Sequence, residues 1–206
     1  DEGLSDSVKE VFIDLYNRGL IYKDKRLVNW DPKLGTALSD LEVNQIEKVG
    51  KMWFIKYQLE NSKENIVVGT TRPETIFGDT GIAIHPKNKK LNHLIGKKAL
   101  IPILNKKIPI FADEYADPEK GSGAVKITPS HDFNDFEIGK KHDLEFVNIL
   151  DKTASLNKNT PKEYQGLNRF VARKKLISEL KKNNKILKIV NNKMFLPVGD
   201  RSDEII

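Results

Sequence analysis

Gly121-Ser122-Gly123-Ala124-Val125-Lys126-Ile127-Thr128-Pro129-Ser130-His131-Asp132-Phe133-Asn134-Asp135 runs from a glycine turn, through a short strand, into the start of a helix. Ala124 to Thr128 is predicted as the strand, stopped by Pro129, which cannot continue a hydrogen-bonded ladder. Asp132 to His142 is predicted as the helix. Asp132 and Asp135 are three residues apart at its start, so both can face one pocket. They also suit the positive end of the helix dipole. Two readings stay open here: Asp132 caps the helix and Asp135 decorates it, or Ser130 caps and Asp132 is free for chemistry. A third reading takes His131-Asp132 as a metal-phosphohydrolase pair. It needs further His ligands on neighbouring helices, and the chain has only His85, His93, His131 and His142.

Upstream, Thr70-Thr71-Arg72-Pro73-Glu74-Thr75 is a hydroxyl-rich turn holding one arginine. Pro73 fixes its own backbone and biases Arg72 towards extended geometry. A guanidinium presented beside Thr70, Thr71 and Thr75 suits a phosphate; a plain surface turn is the alternative. Strands are predicted on either side, at Ile66 to Thr70 and Gly81 to His85. Met52 to Glu60 alternates, with Trp53, Ile55, Tyr57 and Leu59 on one side, as a half-buried strand requires. Ala99 to Leu104 and Lys107 to Ala112 read as a hairpin around Asn105-Lys106, and Leu27 to Trp30 and Phe146 to Leu150 as short strands. Ile186 to Val198 reads as a closing hairpin turning at Asn191-Asn192.

Two more helices are expected. Ser7 to Arg18 places Val8, Val11, Phe12 and Leu15 on one face, with a Ser7/Glu10 capping box and Gly19 as C-cap. Asn168 to Lys182 places Phe170, Ile177 and Leu180 inward. Residues 151–167 read as a polar loop. Many short strands with few helices make the fold class α+β: a β-barrel-like core of short strands with peripheral α-helices.

The chain has 206 residues, room for one large domain, and at this size about 70% of the unfolded surface can be buried. Hydrophobic residues make up 38% and charged residues 31%, and the net charge is +6. A basic surface fits RNA, yet only six of the 35 basic residues are Arg, which equally fits a general lysine bias. Having no Cys excludes disulfides and thiolate metal sites and agrees with a reducing, cytoplasmic setting. No apolar run approaches the ~18 residues of a membrane span, and no signal peptide is visible. The chain begins at Asp1 and ends at Ile206, and so reads as a piece of a longer protein.

Taken together, the Arg72 turn, Gly78-Asp79-Thr80-Gly81-Ile82-Ala83-Ile84-His85-Pro86 and the Lys126 to Asp135 run resemble the editing domain inserted in class I aminoacyl-tRNA synthetases, in its valyl branch. The flanks agree. Gly19 to Lys23 and Leu27 to Leu34 resemble the lead into that insertion. Gly166 to Lys175 and Gly199 to Ser202 resemble its exit. Glu74, Lys126, Thr128 and Asn134 separate the valyl pattern from the leucyl and isoleucyl ones. The ATP-binding signatures of the family (His-Ile-Gly-His and Lys-Met-Ser-Lys-Ser types) are absent.

The resemblance implies one editing domain over 1–206, with residues 1–30 and 199–206 leading from and to the catalytic body of a synthetase in cis. It implies hydrolysis of threonine from tRNA(Val) by water, without a covalent intermediate, a cofactor or a metal. ATP would serve only the full-length enzyme, and the chain would be a monomer. Asp135 would hold the substrate ammonium. Lys126, Thr128 and Asp132 would read the threonyl hydroxyl and order water. Arg72, Thr70, Thr71 and Thr75 would grip the terminal adenosine and its phosphate, and Asp79 would support the loop or the ribose. His131 is either structural or helps to position water. Proofreading is needed because an apolar pocket rejects one extra hydroxyl only about a hundredfold for this amino-acid pair, a known figure rather than one derived from this chain.

Overall fold

The alternation that starts at Met52 continues a strand already long under way. In the computed structural model, which describes all 206 residues, strand β3 spans Val43–Leu59. Its second half carries Trp53, Ile55, Tyr57 and Leu59 into the core. Its first half is mostly exposed and shows no apolar alternation, so only the buried half was legible.

Seven strands form one mixed sheet in the order β4-β3-β6-β7-β5-β8, with β9 also paired to β3. Their ranges are β4 Asn65–Thr70, β5 Gly81–Ile84, β6 Lys98–Leu100, β7 Lys107–Ala112, β8 Ala124–Ile127 and β9 Ile186–Gly199. Only the β5–β7 pair is parallel. The sheet curls until its edge strands β4 and β8 pack together without a shared ladder, giving the expected barrel-like core. Ile55, Tyr57, Leu59, Ile66, Val68, Ile82, Ile84, Ile101 and Ile108 fill its inside. A small antiparallel hairpin, β1 Asn29–Asp31 with β2 Thr36–Leu38, stands apart from the sheet.

The chain forms three helices, α1 Glu2–Asn17, α2 Phe133–Lys141 and α3 Arg169–Lys182, of which α2 and α3 pack on the sheet. α3 covers the core with Ala172, Leu176 and Leu180. Of the expected inner face, Leu180 is buried, whereas Phe170 and Ile177 sit half-buried on the flank, each one position away from a buried residue. α1 starts five residues earlier than predicted, capped by Asp1. The Ser7 hydroxyl donates to the Gly3 carbonyl inside the helix, so the Ser7/Glu10 capping box does not form. Gly19 follows the C-cap Arg18 with φ +71°, the backbone role that glycine serves at a helix end. The apolar face of α1 was read correctly from its spacing, but Val8, Val11 and Phe12 are exposed.

Two further expectations change. Ile186 to Val198 is not a hairpin: Asn191 and Asn192 pair with Lys51 and Gly50 in the middle of a continuous β3–β9 ladder. The turn preference of Asn-Asn yields to the long partner strand, whose exposed first half was not recognised in the sequence. Phe146 to Leu150 is no regular strand, apart from a single Leu150–Leu156 bridge. Its backbone is bound by side chains instead. Ile149 N–H donates to His131 Nε2 at 3.0 Å, and the Asn148 carbonyl accepts from Asn157 and Asn159. The polar stretch 151–167 is ordered and buries Leu156 and Tyr164.

Candidate active site

The floor of the site is built on β8. Lys126 and Thr128 are two residues apart, so both side chains lie on one side of that strand and its exit. Lys126 Nζ donates to Thr75 Oγ1 at 3.0 Å, to Asp79 Oδ1 at 2.9 Å, and to Thr128 Oγ1. The Thr128 hydroxyl donates to Asp79 Oδ1 at 2.6 Å, and Tyr57 OH donates to Asp79 Oδ2 at 2.7 Å. Thr75 in turn donates to the Arg72 carbonyl at 2.9 Å. All three N–H groups of the ammonium are therefore occupied, and the circuit is closed. That is how a lysine only 8% exposed remains in the fold. Burial raises the Asp79 carboxyl above its ordinary range, against the opposing pull of Lys126, Thr128 and Tyr57. Burial, and Asp79 beside it, push the Tyr57 phenol well up.

Helix α2 supplies the acidic wall. Asp132 caps it: its Oδ1 accepts from Asn134 N–H at 2.9 Å and Asp135 N–H at 3.1 Å. The capping alternative for Asp132 is the one adopted, and Ser130 does not cap. Capping does not remove Asp132 from the cavity, which it still lines. Asp135 is buried and turns back over the strand end, where its Oδ2 accepts the Thr128 N–H at 2.8 Å. Its pKa is raised to about 6, chiefly by burial; Lys126 opposes the rise, and Asp132 and Asp79 add to it. Burial, then Arg72 and Lys126, lower His131 to about 3, so its ring is neutral. With Nε2 accepting from Ile149 and its carbonyl accepting Arg72 Nη1 at 2.8 Å, His131 acts as a strut joining three segments.

The third wall is the Arg72 turn. Thr70 Oγ1 accepts the Arg72 N–H at 3.1 Å, and Pro73 opens a buried 3-10 turn, Pro73–Gly78. The Arg72 side chain stays partly exposed at the rim. Nine of the ten residues singled out from the sequence (Thr70, Thr71, Arg72, Thr75, Lys126, Thr128, His131, Asp132 and Asp135) line one cavity of about 210 Å³. Asp79, the tenth, does not line it; it lies underneath and anchors Lys126.

Sequence reasoning missed Tyr115, Met52 and Gly69, which also line the cavity. Tyr115 follows an Asx turn, in which Asp113 Oδ1 accepts the Tyr115 N–H at 2.9 Å. Its phenol is pushed up to about 12 by burial and by Asp135 and Asp132. A lone aromatic in the polar Asp113-Glu114-Tyr115 segment was the available signal. Met52 and Gly69 gave none, since they belong to strands whose pattern announces only the opposite face. A second cavity of about 360 Å³, between Phe77, Leu104 and Phe146, holds none of the expected residues.

Residues 1–195 match the family model described as tRNA synthetases class I (I, L, M and V). Over all 206 residues the chain is 54% identical to a valine--tRNA ligase of Pelagibacter ubique (strain HTCC1062), of which it spans 24%. It is 52% identical to the valine--tRNA ligase of Legionella pneumophila (strain Paris), of which it spans 22%. The chain thus covers about a quarter of the length of these relatives. Among solved structures, the fold is similar to GlLeuRS-CP1, with TM-score 0.53 and 14% identity over 66% of this chain and 96% of that one. It is also similar to a chain in the ternary LeuRS-tRNA-LeuAMS complex of Agrobacterium radiobacter K84 agnB2, with TM-score 0.52 and 20% identity over 90% of this chain and 31% of that one.

Proposed function

The chain belongs to the class I tRNA synthetases (I, L, M and V), and we propose that its cavity proofreads tRNA(Val) by hydrolysing threonine from the 3′ end. The observation that carries this reading is the convergence of Lys126, Thr128, Asp132, Asp135 and the Arg72 turn on one cavity. In this reading Asp135, ionised above about pH 6, pairs with the substrate α-ammonium. Arg72, with Thr70 and Thr71, holds the anionic RNA end. Asp132, on the cavity wall, orders the water.

Water adds to the ester carbonyl, and the bond to the ribose oxygen then breaks, releasing threonine and a free ribose hydroxyl. An aminoacyl ester is already reactive, so holding ester and water in attack geometry supplies much of the rate. A neighbouring ribose hydroxyl of the tRNA assists the water.

Selection follows from the closed circuit around Lys126. A threonyl hydroxyl can replace Thr75 or Thr128 as the acceptor of one ammonium N–H. A valyl methyl that displaces either leaves a buried donor unpaired, at about 1–3 kcal/mol, or roughly one to two decades. The whole chain acts as one editing domain joined in cis to the synthetase body through residues 1–30 and 199–206. It works as a monomer in the cytoplasm without a cofactor, and ATP serves activation elsewhere. No helix is long and apolar enough to cross a membrane.

The test is deacylation of threonyl- and valyl-tRNA(Val) side by side. Hydrolysis of the first and sparing of the second is expected. Retention of the RNA with neither ester cleaved reduces the chain to an RNA-end binding module. Cleavage of both at one rate removes the hydroxyl-reading account.

A further inference from the structure

Glu74 lies in the middle of the Arg72 turn with its side chain only 1% exposed. An anion buried that deeply is retained only if it is fully partnered. Its partner comes from across the molecule. Arg173 of α3 forms a two-pronged pair, Nε to Oε2 at 2.6 Å and Nη2 to Oε1 at 2.6 Å. The Arg173 fork is itself packed: its guanidinium carbon lies 5.3 Å from the centre of the Phe170 ring. Arg72 is the nearer cation in sequence, yet its Nε stays 3.8 Å from Glu74 Oε1. Its one hydrogen bond from the guanidinium goes to the His131 carbonyl.

We infer that Arg173 is a positioning residue: by satisfying Glu74 it keeps the Arg72 guanidinium at the cavity rim, available to an RNA phosphate. Without Arg173, Glu74 becomes a buried, uncompensated anion. Arg72, already within 4 Å, is the cation positioned to neutralise it, by swinging inward and withdrawing its donors from the rim. A bidentate fork is needed, because only that geometry saturates both carboxylate oxygens and leaves Glu74 no claim on a second arginine. The inference rests on the proposed role of Arg72 and deepens it.

The experiment measures binding of a single-stranded RNA ending in CCA as a function of salt. One phosphate contact contributes a slope of roughly −0.7 in log K against log salt. Arg72→Ala is expected to flatten the slope by about that amount. Arg173→Ala is expected to flatten it equally, and the Arg72→Ala/Arg173→Ala double variant no further. The Glu74→Gln/Arg173→Ala double variant, which has no buried anion to recapture Arg72, is expected to regain the original slope.

An unchanged slope in Arg72→Ala refutes the phosphate role of Arg72, and this inference with it. A changed slope in Arg72→Ala with the original slope in Arg173→Ala, whatever its melting temperature, refutes this inference alone. If Arg173→Ala does not fold, Arg173→Lys decides. It keeps the charge but loses the fork, and it is expected to flatten the slope; the original slope there also refutes the inference.

Discussion

Asp135 carries opposite demands on one carboxyl. Its native pKa is about 6, against 3.8 when unperturbed. Below about pH 3 it is protonated in both folded and unfolded chains and has almost no effect on the difference between them. As the pH rises towards 6 the unfolded chain ionises first, so folding loses about 3 kcal/mol, and this cost persists above pH 6. Asp135→Asn keeps an acceptor for the Thr128 N–H and removes the titration. It is expected to raise the melting temperature at about pH 7.5, to show almost no gain at about pH 3, and to abolish deacylation. An equal shift at both pH values contradicts this account. Wild-type deacylation, in turn, should rise with an apparent pKa near 6 as Asp135 ionises.

Lys126 needs a paired experiment at the same scale. Lys126→Ala alone leaves Asp79 buried and unpaired, a loss of about 3–5 kcal/mol. Lys126→Met combined with Asp79→Asn removes both charges. Its ratio of threonyl to valyl hydrolysis is expected to fall by roughly one to two decades, and an unchanged ratio takes selection away from the Lys126 circuit.

At the scale of elements, the site depends on how closely α2 lies on the end of β8. Gly139 permits that approach: a Cβ there would stand 2.7 Å from Pro129 Cγ and 2.8 Å from Pro129 Cβ. Gly139→Ala is expected to lose about 1–3 kcal/mol, seen in denaturant unfolding, and to slow hydrolysis by shifting Asp135 with its helix. Unaltered stability would mean that helix and strand end separate freely.

The strand, the proline stop and the acidic helix start were all legible from residues 121–142, because each follows from local chemistry. The same holds for the buried half of β3, where alternation reports one-sided burial. What escaped depends on distant partners. The exposed half of β3 and the unbroken β9 stabilise each other across more than a hundred residues of chain, and nothing local marks them. Asp79 was identified as important, but its place beneath Lys126 emerges only when β3, β5 and β8 are assembled. Arg173 was quoted only as part of the exit flank, since nothing in its neighbours points to Glu74.

For the whole molecule, the barrel and the site form one structure, and α1 lies outside it. None of the α1 residues is buried, although Leu4, Val8, Val11, Phe12, Ile13 and Tyr16 are large and apolar. Removing residues 1–20 is expected to leave the melting temperature within about 2 °C, because no core contact is lost, and to reduce binding of a hydrophobic dye. A larger drop would show that α1 braces the barrel.

The floor beneath the cavity has a further consequence. An ammonium and a carboxylate sealed beside a second buried aspartate are a thermodynamic burden; a methionine–leucine pair of similar bulk would suit that interior at least as well. Breeding this molecule for heat tolerance alone would therefore discard Asp135 readily, and Lys126 with Asp79 whenever both changed together. The hardiest descendants would be sturdy barrels that had forgotten their chemistry.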